Sequence, residues 1–219
     1  MHIEPGVINA AKVLAANAAA VATLAAYVPG LIRQPAEIVK ILLAAAFFSL
    51  FMQSYHAPVG PSELHFIGAS FIYFIFGFRP TLYGFAFGLL LQGVLFEPGD
   101  LVHLGVNSLS LMVPLIAAHA AFGRVCFTEG EDKAKVSWRR IAAFDAVYYT
   151  GVTLMVGFWL SLGEEPTPLA DWVTFATAYA PLVLIEPVFS WLALKGVERL
   201  PEGAVRQHTA CLLYTSRRG

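Results

Sequence analysis

Cysteine is scarce in this chain. Only Cys126 and Cys211 occur among 219 residues, and nothing in their placement indicates a disulfide or a thiolate metal site. Charge is scarce too, at 13%, with no basic patch of the kind a nucleic-acid binder needs. No Gly-x-x-x-x-Gly-Lys-[Ser/Thr] segment is present, so nucleotide hydrolysis by this chain has no phosphate-cradling loop to rest on. No Ser/Gly-rich linker divides it. What remains is apolar: 58% hydrophobic residues, 17 of them Phe, leave too little polar surface for a water-soluble globule of this length. The composition is that of an integral membrane protein with one polytopic domain.

Apolar stretches fall at about 7–28, 37–53, 64–78, 80–96, 101–123, 141–162 and 172–198. They predict an all-α protein of about seven transmembrane helices. The third and fourth are short, on the order of 22–26 Å, which calls for burial by neighbours or a thinned bilayer. Pro80, just after Arg79, separates them. Arg33, Lys40, Arg79, Arg124, Lys133, Lys135, Arg139, Arg140, Lys195, Arg199 and Arg206 flank alternate connections. The other connections contain Glu63, Glu97, Asp100, Glu164, Glu165 and Asp171 and no Lys or Arg. The positive-inside rule then puts the N-terminus outside and the C-terminus inside. The first apolar stretch has no basic segment before it and contains Asn9, Lys12 and Asn17, so it reads as a retained helix rather than a cleaved signal. Its small residues recur four apart at Ala11, Ala15 and Ala19 and at Ala18, Ala22 and Ala26, as do Gly84 and Gly88 in the fourth span. Such rows permit close helix packing, within the chain or against another one. Lys12 is expected to snorkel to the interface.

The chain opens with Met1-His2. A free α-amine, the next amide nitrogen and the His2 Nδ1 can close two fused chelate rings and present three nitrogens in a plane. One more imidazole completes a square, a geometry that suits Ni(II), Cu(II) and low-spin Co(II) rather than Mg(II) or Ca(II). The plain alternative is a start codon that happens to precede a histidine. Other polar candidates at membrane depth are His56, His65, His103, His119, Gln92 and Asn107. Pro58, Gly60 and Pro61 predict a structured turn. Ser62 is positioned to cap a following helix with His65 in its first turn, on the side of the membrane assigned to His2. Gln92 and Asn107 either orient metal ligands or join helices. His103 and His119 read as structural.

The opening Met1-His2-Ile3-Glu4-Pro5-Gly6, the Pro58–Gly68 segment with its histidine, Leu91-Gln92-Gly-Val-Leu-Phe96 and Leu104-Gly105-Val-Asn107 occur in an order that resembles a known family. It is the substrate-binding membrane component of cobalt and nickel energy-coupling-factor transporters, the CbiM/NikM type. The resemblance implies a metal held by Met1, His2 and His65, with Co(II) or Ni(II) as transported ligand and no resident cofactor. It also implies ATP-driven uptake through a prokaryotic cell membrane, with a transmembrane coupling subunit, ATP-binding subunits and a small accessory membrane protein as partners. The family's Gly-Thr-Ser-x-His pattern stands here as Gly60-Pro-Ser-Glu-Leu-His65, one residue longer. The basic stretch Arg124–Arg140 is a natural cytoplasmic contact or a solvated loop. Residues 1–208 read as one metal-capture domain, and 209–219 as a non-native tail. From other classes, a haem-binding intramembrane redox protein, in which His103 or His119 ligates haem with a partner on another helix, or an assembly protein without ligand, is the alternative.

Overall fold

A computed structural model describes residues 2–127, 137–164, 166–197 and 199. Met1, Lys133, Lys135, Arg206, Cys211 and the 209–219 segment fall outside them. Seven α-helices follow a two-residue strand: β1 (His2–Ile3), α1 (Ala10–Arg33), α2 (Glu37–Ser54), β2 (His56–Val59), β3 (Ser62–His65), α3 (Ala69–Phe76), α4 (Phe78–Leu95), α5 (Leu104–Phe127), α6 (Trp138–Leu162) and α7 (Pro168–Val197). A 3₁₀ turn, Pro98–His103, leads into α5.

The helices α1, α2, α6, α7 and the segment Pro98–Gly123 are long and apolar enough to cross a membrane. Leu14, Val21, Ile32, Leu42, Leu50, Leu154, Leu184 and Ile185 lie exposed on their outer faces. That arrangement is costly in water and natural in lipid. The fold is therefore the expected polytopic helical one, with a small antiparallel sheet, in order β1-β3-β2, added at one end.

The third crossing departs from expectation. Helices α2 and α4 run side by side in the same direction: Glu37 pairs with Arg79 at their starts, and Ser49 Oγ donates to Gly88 O further along at 3.2 Å. Gly84 and Gly88 make this possible, since side chains there would collide with Ala44 and Phe48. Residues 55–77 must therefore return the length of α2. They do so with β3, an extended stretch and only eight helical residues, about 12 Å of helix. Ser62 and His65 lie in β3, so the expected helix with Ser62 as cap and His65 in its first turn is replaced by a strand, and helix begins only after Gly68. The reason is that an apolar run such as 64–78 suits a buried strand as well as a helix. Every residue of α3 is buried. Non-helical backbone at membrane depth is tolerated only when protein surrounds it and satisfies its polar groups.

That satisfaction comes from other helices. Gly68, the N-cap of α3, has φ +64 and no side chain to accept the first amides. Glu186 of α7 takes them: its Oε1 accepts Ile67 N and its Oε2 accepts Gly68 N, both at 2.7 Å. Tyr149 Oη of α6 accepts Ala69 N at 3.3 Å and itself donates to Glu186 Oε2. Ser70 Oγ donates to Asp145 Oδ2 at 2.8 Å.

Helix α1 turns one of its several rows of small residues inward. Its buried stripe is Val13, Ala16 and Ala20, while Ala11, Ala15, Ala19, Ala18, Ala22 and Ala26 face outward. Polar anchors add to this contact. Asn17 Oδ1 accepts Gly105 N at 2.6 Å, and Lys12 Nζ donates to Leu162 O at 2.6 Å, where α6 ends with unpaired carbonyls.

Candidate metal centre

The N-terminal strand is held from both sides. In the sheet, His2 stands opposite Glu63 and Ile3 opposite Ser62. Glu4 N donates to Pro61 O at 3.1 Å, extending that edge. From the bundle, Asn107 Oδ1 accepts Ile3 N and His103 Nδ1 donates to Ile3 O, each at 3.0 Å. Ile3 itself is buried. Both backbone groups next to His2 are thus fixed by side chains from the start of α5 and the turn before it.

The second hairpin partner brings histidine to the same place. Gly60, with φ +58, closes the β2–β3 turn, and His56 stands opposite His65 across it. Their rings stack with centroids 5.9 Å apart and 17° between planes. Glu63 lies between them: its Oε1 accepts His56 Nδ1 at 2.7 Å, and its Oε2 lies 3.2 Å from His65 Nε2. Side-chain exposure falls from 48% at His56 through 12% at Glu63 to 2% at His65, so the three run from surface to interior. They form a chain rather than a cage. Among the described residues no three His, Cys, Asp or Glu side chains are grouped to hold a metal ion.

Both ring nitrogens of His65 face oxygen acceptors, Nε2 toward Glu63 and Nδ1 toward Met52 O at a long 3.5 Å. A neutral imidazole has one N–H to donate.

Of the residues singled out from sequence, His65 and the backbone of His2 come together through β3 and β1, and Asn107 joins them through Ile3. Met1 and the His2 ring lie outside the described atoms. Gln92 is buried on α4, and its side-chain oxygen has no hydrogen-bond partner among the described residues. His103 braces the N-terminal strand. His119 sits elsewhere, stacked on Phe78 at 4.0 Å and bonded to Tyr73 Oη at 2.8 Å. The roles of Glu63, Asp145 and Glu186 were not apparent from sequence. The available signal was a lone carboxylate interrupting each of the last two apolar spans.

Comparison with known proteins agrees with this architecture. A solved transition metal transporter superposes with a TM-score of 0.71, covering 94% of this chain and 97% of its own, at 17% identity, which establishes a shared fold. A Haemophilus influenzae protein described as "Putative metal transport protein" is 34% identical over 126 residues, 56% of this chain. The match spans 57% of that relative's length. The family model for the cobalt uptake substrate-specific transmembrane region matches residues 2–202, and the chain belongs to that family, CbiM.

Proposed function

We propose that this chain captures Co(II) or Ni(II) at its N-terminus and delivers the ion inward when partner subunits hydrolyse ATP. The donors are the Met1 amine, the amide and ring nitrogens of His2, and His65. The observation that carries this reading is the register of β1 on β3, which sets His2 opposite Glu63, two residues from His65. The pairing is antiparallel, so of the two residues of β1 it is His2 that lies toward the His65 end of β3. The backbone clamps on Ile3 from Asn107 and His103 support it, because a chelate built on a chain end is useful only if that end is docked. So does the His65 ring, flanked by acceptors that a cation between Nε2 and Glu63 would satisfy.

Nitrogen donors in a plane favour late first-row ions and leave cobalt and nickel both eligible. The chain is then a substrate-binding subunit rather than an enzyme, and a transmembrane coupling subunit, ATP-binding subunits and a small accessory membrane protein complete the transporter. The basic connections face the cytoplasm and the sheet faces outward. Purification without a polyhistidine tag, after growth with cobalt or nickel, followed by elemental analysis, tests the assignment. One equivalent of metal lost on His2→Ala supports it; a metal-free native protein that binds neither ion overturns it.

A further inference from the structure

The segment that follows His65 is held by α7. Phe66 packs edge-to-face on Phe189, with ring centroids 4.9 Å apart, and both meet Phe51 of α2. Ile67 and Gly68 donate their amides to the two oxygens of Glu186, three residues before Phe189 on the same helix. Three consecutive residues after the imidazole therefore take their position from one helix that is distant in sequence.

The chemistry of this contact is specific to a carboxylate. Two adjacent amides and the Tyr149 hydroxyl point at Glu186, which needs acceptors on both oxygens. An amide side chain would turn an NH₂ toward one of those donors. Glu186 is fully buried, where an ionised group is costly unless hydrogen-bonded. The amides at the N-terminal end of α3 supply both the bonds and the favourable end of the helix dipole. Gly68 cannot carry a side chain, because its φ is +64 and a Cβ there would sit 2.6 Å from the Phe51 ring. The carboxylate thus ties the joint between β3 and α3 to α7.

We propose that Glu186 is a positioning residue for metal capture: from α7 it fixes the backbone behind His65 and so sets how the imidazole meets the N-terminal strand. The inference rests on His65 being a ligand. Tyr149 is the auxiliary member, holding Glu186 and Ala69 together.

The test is a double-mutant cycle on full-length protein with its native N-terminus, titrated with Ni(II) and followed by calorimetry and by the visible absorption of the bound ion. Glu186→Gln is expected to weaken binding about tenfold or more, in the range seen when partners that orient a ligand are lost, and to shift the ligand-field bands. In a His65→Ala background the same substitution should change affinity by less than twofold, since it acts through the missing ring. Equal losses in both backgrounds, or native affinity and spectrum in Glu186→Gln, overturn the proposal. If Glu186→Gln does not fold, Tyr149→Phe takes its place: a smaller band shift that vanishes without His65 supports the role, and an unchanged spectrum ends it. Native affinity in His65→Ala alone would instead refute the metal site itself.

Discussion

Glu63 Oε2 lies 3.2 Å from His65 Nε2, while the other oxygen of the same carboxylate accepts a hydrogen bond from His56. One side chain thus connects an exposed imidazole to a buried one. The buried partner should dominate energetically, because an exposed pair gains little over its solvated parts. Glu63→Ala is expected to lower Ni(II) affinity about tenfold by removing the oxygen that faces the His65 ring. His56→Ala should change it by less than about twofold. Competition titration against a metallochromic chelator checks both, and the reverse order of effects would place the ion at the surface pair.

Asn107 offers a separate handle on the chain end. Its Oδ1 accepts the amide of buried Ile3, so Asn107→Ala strands a backbone donor away from water, at a cost of about 1–3 kcal/mol. That cost falls on docking the N-terminal strand rather than on the bundle. Metal affinity should therefore drop about tenfold while the thermal midpoint in detergent moves little. A large midpoint shift with unchanged affinity would show that Asn107 serves helix packing alone.

Several of these parts were visible in the linear chain. The Gly84/Gly88 row packs where small residues four apart should. Pro58, Gly60 and Pro61 marked the hairpin turn. The division of 64–78 into strand and short helix was not visible, since burial on all sides erases the periodicity that separates the two. The outward face of α1 was equally hidden. Several alanine rows on α1 are equally able to pack closely in lipid, so which one turns inward, Ala16 with Ala20, is selected together with polar anchors such as Asn17 and Lys12. Glu186 carries no motif, because what it recognises is backbone amide, and its only mark in the sequence is a charge within an apolar run.

Orientation can be read by chemistry. Glu63 stands on the sheet end of the molecule and Lys133 in the basic connection before α6. With the N-terminus outside, Glu63→Cys in intact cells should react with a membrane-impermeant maleimide, after Cys126 and Cys211 are replaced, and Lys133→Cys should react only after lysis. Labelling of Lys133→Cys in intact cells would reverse the topology and remove capture from outside.

The register of the chain end gives the sharpest test of bridging. Inserting one Ala between Met1 and His2 preserves the histidine's place beside Ile3, and hence β1 opposite Glu63. It also puts histidine third, so that the amine, two amides and the imidazole offer four planar nitrogens without help from the bundle, a set that suits Ni(II). The inserted variant should still bind Ni(II), and adding His65→Ala should no longer weaken it. Uptake in cells expressing the full set of subunits should be lost, because the ion is no longer shared between the chain end and β3. If uptake persists at the native rate, the ion does not need to bridge the two strands and His65 is not its fourth donor.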